Sequence, residues 1–171
     1  MRYTPVAMRS LAVYPGSFDP PTLGHLDIVE RGAQLFDRLV VAVGRNSSKE
    51  PFLSAEERVG VLRDSCAHLP NVEVEPFDGL LVDYVRSKGA HSIVRGLRAV
   101  ADFEYEFQIA MVNRKIAPEI DSVFLMTHWD YSYLSSSVVR EVARLGGDVT
   151  ALVPPATIAA LARRMGQKPP E

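Results

Sequence analysis

Residues Tyr14 to His25 read YPGSFDPPTLGH, and the placement of the rest of the chain follows from them. An apolar run, Leu11-Ala12-Val13, precedes the stretch, and Leu26, Val29, Ala33 and Phe36 follow it at steps of three, four and three. Steps of that size mark one face of a helix. The stretch therefore joins a strand to a helix that begins near Gly24-His25. Gly16 permits a positive φ or the close approach of a ligand. Pro20 and Pro21 stiffen the turn, and Thr22 is a suitable N-cap. Unpaired N–H groups at such a helix start favour phosphate, and His25 in the first turn can donate to a phosphate oxygen from one ring nitrogen.

Outward from this unit, Arg38 to Gly44 (RLVVAVG) is a continuous apolar run of the kind found in parallel strands buried on both faces. Ser54-Ala55-Glu56-Glu57 fits a capping box, and Val59, Leu62 and Cys66 turn the ensuing helix toward a core. A third strand is expected over Asn71 to Pro76. Asp78 is positioned to cap a helix over Gly79 to Lys88, closed by Gly89. Ser92 to Val94 reads as a short fourth strand running into Arg95-Gly96-Leu97-Arg98. A long helix follows from about Ala99 to Ile116, with Asp102, Glu104 and Glu106 in its early turns, where the dipole favours acids. Asp121 to Met126 gives a fifth strand. Helices then run from about Ser137 to Leu145 and from near Pro155 to Gly166.

This strict alternation predicts one doubly wound α/β domain over residues 1–171, with a parallel five-stranded sheet, an N-terminal extension (1–9) and a C-terminal tail (167–171). In such folds ligands bind where the strand order reverses. An order of 3-2-1-4-5 would bring PGSFDPPTLGH beside RGLR, with HWDYSYLSSS next to both.

The 171 residues suit a single core. A net charge of −2 supplies no global field to recruit nucleic acid or an anionic membrane, so a phosphate site must be a local gathering of cations. One cysteine, Cys66, excludes an internal disulfide, and no run approaches the roughly 18 apolar residues of a membrane span. MRYTPVAMRS lacks the apolar core of a signal peptide, and Met8 is an alternative start; a cytoplasmic location is the expectation. The four histidines are scattered, no Cys/His cluster exists, and side-chain metal ligation is not expected. No G-x-G-x-x-G follows the first strand, which argues against a redox Rossmann protein.

Thr22-Leu23-Gly24-His25 resembles the T/H-x-G-H signature of the nucleotidyltransferase superfamily. The longer GSFDPPTLGH and the interior RGLRAVADFEYEFQ are similar to the bacterial phosphopantetheine adenylyltransferases. The resemblance covers nearly the whole chain after Met8 and implies a Rossmann-like nucleotidyltransferase fold. The implied reaction transfers an adenylyl group from MgATP to 4′-phosphopantetheine, giving dephospho-coenzyme A and pyrophosphate, with Mg2+ carried by ATP. Implied catalytic residues are His25, Lys49 and Arg98. Ser17 would contact both substrates and Phe18 the nucleotide through its backbone. Lys49, Arg95 and the backbone of Leu81 would hold the acceptor. Arg98 with the backbone of Gly96 and Leu97, Glu106 and the segment Tyr131, Ser132, Tyr133, Leu134, Ser135, Ser136 and Ser137 would hold ATP. Here Ser17 stands where the family often has Thr, and Leu134 where Ile is more usual. The resemblance also implies a homohexamer and feedback binding of coenzyme A. Two alternatives stand: another small nucleotidyltransferase, acting on nicotinamide mononucleotide or glycerol phosphate, and a noncatalytic nucleotide-binding module.

Overall fold

A computed structural model describes residues 10–45 and 51–166. In chain order the elements are β1 (Leu11–Gly16), α1 (Leu23–Leu35), β2 (Arg38–Gly44), α2 (Ala55–Ser65), β3 (Val72–Phe77), α3 (Leu81–Ser87), β4 (Ser92–Leu97), α4 (Val100–Ile116), β5 (Asp121–Met126), α5 (Ser136–Arg144) and α6 (Pro155–Arg164). A single 3-10 turn, Trp129–Tyr131, lies between β5 and α5. The sheet is parallel throughout in the order β3-β2-β1-β4-β5, as expected.

Successive strand residues point to opposite faces, and both faces of the central strands are covered. Ala12 and Tyr14 of β1 join Leu39, Val41 and Val43 of β2 beneath α1 and α2. Val13, Val40 and Ala42 face the other way, against Val82 and Val85 of α3. Burying each such side chain contributes roughly 1.5–3 kcal/mol. Helix α1 lies close to the sheet at Gly32, where an added Cβ would stand 3.0 Å from a Leu39 methyl. A third cluster, including Val139, Val153 and Leu161, joins α5 to α6.

Boundaries differ from the sequence expectation where pairing or a backbone angle intervenes. β4 does not stop at Val94; Arg95, Gly96 and Leu97 continue the ladder opposite Phe124, Leu125 and Met126, because β5 is long enough to pair with them. Helix α3 does not start at Gly79 under an Asp78 cap. Gly79 takes a left-handed φ of +82°, Leu80 stands at the N-cap without a side-chain bond, and Asp78 pairs with Arg45 at 3.5 Å. Gly89 closes α3 in the left-handed region (φ +67°), as expected of a C′ glycine. α1 and α5 each begin slightly early, at Leu23 and Ser136, and α6 ends at Arg164 rather than Gly166.

Strand β1 pairs with β2 along its length, but with β4 only at Ala12 and Val13. Beyond Val13 the two central strands part, and the chain leaves β1 through the Pro-rich turn. The split falls at the reversal of strand order, and a cavity occupies it. No helix of the described residues is long and apolar enough to cross a membrane.

Candidate active site

The cavity has a volume of about 330 Å³ and is walled by the turn after β1, the first turn of α1, the end of β4, the inner face of α4 and the N-terminus of α5. Each wall has its own local cause.

Thr22 caps α1 by accepting from the His25 N–H at 3.3 Å, while the His25 Nδ1 accepts the Thr22 N–H at 3.0 Å. This is a reciprocal capping box with histidine in the place usually taken by Glu or Gln. Because Nδ1 accepts, the neutral ring must carry its proton on Nε2. The pKa of His25 is pushed down to about 4, first by burial and then by the Arg98 charge. His25 is therefore a neutral imidazole with a single N–H to offer. Its ring meets Phe18 edge-on at 5.1 Å, and Phe18 meets Tyr14 in the same way at 5.3 Å. Burial drives the Tyr14 phenol far above its ordinary pKa, so it stays protonated.

The two arginines arrive already paired. Nε and Nη2 of Arg95 each donate to a Glu106 oxygen at 2.6 Å, and Nη1 donates to the Pro15 carbonyl at 3.1 Å. Burial favours the neutral form of Arg95, but the twin bonds and charge of Glu106 outweigh it and hold the group above its ordinary value. Arg98 forks onto Asp102 at 2.9 and 3.1 Å and donates to the Leu134 carbonyl at 2.7 Å. Asp102 and Glu106 lie one turn apart on α4, so one helix face holds both guanidiniums.

Opposite them, Ser135 caps α5 by accepting from the Val138 N–H at 3.2 Å. The Ser136 hydroxyl donates to the Pro20 carbonyl at 2.8 Å, tying α5 to the turn after β1. The helix N-termini of α1 and α5 thus face one space that also holds two guanidiniums, an arrangement suited to a polyanion.

Of the residues expected from the sequence, Ser17, Phe18, His25, Arg95, Gly96, Arg98, Glu106, Leu134, Ser135, Ser136 and Ser137 meet on the cavity wall. Leu97 does not reach it; its side chain is buried behind the strand and its carbonyl is taken by the Thr127 N–H. Tyr131, Ser132 and Tyr133 also stand off the wall: Tyr131 is half-buried beside Gly24 of α1, and Ser132 and Tyr133 are exposed. The Ser132 hydroxyl closes the 3-10 turn on the Trp129 carbonyl at 2.9 Å. Leu81 opens α3 and packs on the Val82–Val85 cluster, outside this cavity. Lys49 lies outside the described residues.

Other residues also hold the site: Asp19 lies in the turn that the sequence marks out, with a structural role or a place near the metal both open, whereas Arg58, Arg140 and Thr157 carry no sequence signal. Asp19 is a structural anchor: its two oxygens accept the Phe52 and Leu53 N–H groups at 2.7 and 2.8 Å. Arg140 donates to the Asp19 carbonyl, and Thr157 donates to the Pro21 carbonyl at 3.0 Å. Arg58, buried under the same turn, binds the Ser17 and Gly44 carbonyls. The Arg98–Asp102 pair had a signal in its four-residue spacing; Arg95 and Glu106, eleven residues apart across a strand end, had none.

A cavity at the reversal of a parallel sheet, lined by two guanidiniums and two helix N-termini with a histidine at one of them, has the chemistry that nucleotidyl transfer needs. The family model for cytidylyltransferase-like proteins matches residues 13–142. A solved structure from Vibrio parahaemolyticus, provisionally described as a nicotinate-nucleotide adenylyltransferase, superposes with a TM-score of 0.64. It covers 90% of this chain and 99% of its own at 16% identity, a likeness of fold alone. Two curated relatives are closer in sequence. The phosphopantetheine adenylyltransferase of Heliobacterium modesticaldum is 55% identical over 92% of this chain and 94% of its own. That of Anaeromyxobacter dehalogenans strain 2CP-C is 54% identical over 95% and 99%. The chain belongs to the phosphopantetheine adenylyltransferase family.

Proposed function

We propose that the chain transfers the adenylyl group of MgATP reversibly to the phosphate of 4′-phosphopantetheine, giving dephospho-coenzyme A and pyrophosphate. The observation that supports it best is the convergence of the neutral His25, two paired arginines and two helix N-termini on one cavity. An oxygen of the acceptor phosphate forms a bond to the α-phosphorus, and the bond from that phosphorus to the bridging oxygen of pyrophosphate breaks. The attacking oxygen is already anionic, so no general base is required. What the protein must do is bring two polyanions together and stabilise charge on the α-phosphoryl oxygens. The Nε2–H of His25 is the donor for that charge.

Arg95 is the fork for the acceptor phosphate, and Arg98 with the Gly96 backbone and the α5 serines is the frame for the ATP phosphates. In this reading Glu106 and Asp102 hold the forks until phosphate competes for them. Lys49 adds a cation at the acceptor phosphate, and the backbone of Leu81 contacts the pantetheine arm. Magnesium enters on the nucleotide, held by phosphate oxygens and water. Among the described residues there is no group of three His, Cys, Asp or Glu side chains placed to hold an ion, and the two carboxylates on the cavity wall, Asp102 and Glu106, are engaged by arginines.

The protein acts in the cytoplasm as a homohexamer whose contacts cover the outer face of α4, where Phe103, Phe107 and Met111 are about half exposed. Coenzyme A, carrying both halves of the product, competes in the same cavity. The test is incubation of the purified chain with MgATP and candidate acceptors, with pyrophosphate measured. Rapid release with 4′-phosphopantetheine, and little with nicotinamide mononucleotide or glycerol 3-phosphate, is expected. The reverse preference overturns the acceptor while leaving the nucleotidyl transfer intact.

A further inference from the structure

Phe18 holds a left-handed backbone with φ of +49°. For a phenylalanine that conformation costs on the order of 1–2 kcal/mol and lasts only where its surroundings impose it. On the side away from the cavity, the surroundings are Arg58 of α2, whose side chain is 1% exposed. Its Nη1 donates to the Ser17 carbonyl at 2.6 Å and to the Gly44 carbonyl at 3.1 Å. Its Nε donates to the carbonyls of Leu53 and Ser54 at 3.1 and 3.2 Å. Among the described residues it forms no ion pair within 4.0 Å; the cation is partnered by main-chain oxygens from three segments.

The carbonyl and the N–H of one trans peptide lie on opposite edges of its plane. With the Ser17 carbonyl pinned to Arg58, the N–H of Phe18 must face the other way, toward the cavity that Ser17 and Phe18 line. Among the described residues that N–H has no acceptor. Were the peptide to flip, relieving the left-handed strain, a carbonyl oxygen would point at the substrate phosphates in place of a donor.

We propose that Arg58 is a positioning residue for nucleotidyl transfer: by holding the Ser17 carbonyl it keeps the Phe18 N–H aimed at the phosphates of the nucleotide. The role deepens the adenylyl-transfer reading given above and rests on it. Arg58 touches no reacting atom. It acts through the peptide above it, and a lysine in its place has one ammonium to reach carbonyls that the guanidinium spans with two arms.

Arg58→Met and Arg58→Lys test this, each measured in the full chain well below its own Tm. Two readouts are used: pyrophosphate release with 4′-phosphopantetheine, and the 15N-labelled Phe18 amide resonance as MgATP is added. In the wild-type chain that resonance should shift on binding. Arg58→Met is expected to lower kcat by about 10- to 100-fold, less than the roughly 10²–10³ of a deleted donor because the N–H is misaimed rather than removed, with acceptor KM within about threefold of wild type. Its Phe18 resonance should no longer respond to MgATP as the wild type does. Arg58→Lys should recover part of kcat. Wild-type kcat in Arg58→Met, or a wild-type Phe18 response to MgATP in either variant, overturns the proposal. Should Arg58→Met fail to fold, the lysine variant decides by the same two readouts. A wild-type chain that releases no pyrophosphate with this acceptor refutes the functional reading, while the amide response to MgATP still tests Arg58.

Discussion

Helix α1 turns Ile28, Val29 and Gly32 into the sheet and opens with a closed capping box, whereas helix α4 leaves Phe103, Tyr105, Phe107, Met111, Val112 and Ile116 at the surface. Both helices wall the same cavity. On the α1 side, the donors are fixed by main-chain bonds and burial: Thr22 to His25, Asp19 to Phe52 and Leu53, Arg58 to Ser17. On the α4 side, the functional groups are held by charge pairs, Arg95 on Glu106 and Arg98 on Asp102. A phosphate can compete with a carboxylate for a guanidinium, but it cannot displace a buried backbone bond at similar cost. For the proposed transfer, one side of the cavity would thus be set for the transition state before substrate arrives, and the other would re-partner as substrate binds.

The comparison is broken most directly at His25. If the rigid side supplies transition-state stabilisation, His25→Ala should lower kcat by about 10²–10³-fold while ATP affinity changes far less. Steady-state turnover beside equilibrium ATP binding separates the two. Wild-type turnover in this variant would remove the ring from the mechanism.

On the re-partnering side the loss should appear in binding. Removing a hydrogen-bonded charge is worth about 1.5–3 kcal/mol, so Arg95→Ala should weaken 4′-phosphopantetheine by about 10- to 100-fold and leave unphosphorylated pantetheine nearly unchanged. Arg95→Lys should not recover the full affinity, since the fork is lost. Equal losses for both ligands would mean that Arg95 does not read the phosphate.

A smaller effect is expected on the outer face of α4. Phe107 stacks on Phe103 at 5.7 Å, and both are nearly half exposed. If the proposed hexamer is built on this face, Phe107→Glu with Met111→Glu should shift the chain to a smaller assembly in analytical ultracentrifugation. Acceptor KM should rise by about threefold, the scale of a lost surface charge interaction, as the helix bearing Glu106 loosens. An unchanged assembly would place the subunit contacts elsewhere.

The same contrast explains what the sequence made legible. The turn after β1, its histidine and the serine N-cap of α5 are local: each depends on residues within a few positions, and each was read nearly as the structure has it. Strict alternation pointed to a parallel doubly wound sheet, and the order 3-2-1-4-5 considered for it is the one observed. The extent of β4 was not legible, because Arg95 to Leu97 are strand only by virtue of the pairing β5 offers. That Tyr131 to Tyr133 miss the cavity wall goes with a 3-10 turn at Trp129–Tyr131 that an aromatic-serine string does not announce. Arg58 was invisible for a deeper reason. In SAEERVG it reads as an exposed basic residue of an acidic first turn, and only the convergence of carbonyls from Ser17, Gly44 and Leu53 makes its burial tolerable.

The test that probes the rigid side without altering the chain is the ionisation of His25. Its pKa is lowered from the usual 6.5 to about 4. The sign follows from linkage: between these values the unfolded chain binds a proton that the folded chain refuses, so stability rises with pH across that interval. The contribution of His25 should be complete above about pH 6.5, decline as pH falls toward 4, and change no further below it. Protonation of Nδ1 would also take away the acceptor that receives the Thr22 N–H, so acidification should fray the α1 cap before the sheet is disturbed. In 15N NMR of the imidazole, the Nε2–H tautomer should persist at pH 5.5, and the Thr22 amide should move only as the ring titrates near 4. A ring that titrates near 6.5 would mean that neither burial nor Arg98 governs it, and the α1 side of the cavity would then be no more preset than the α4 side.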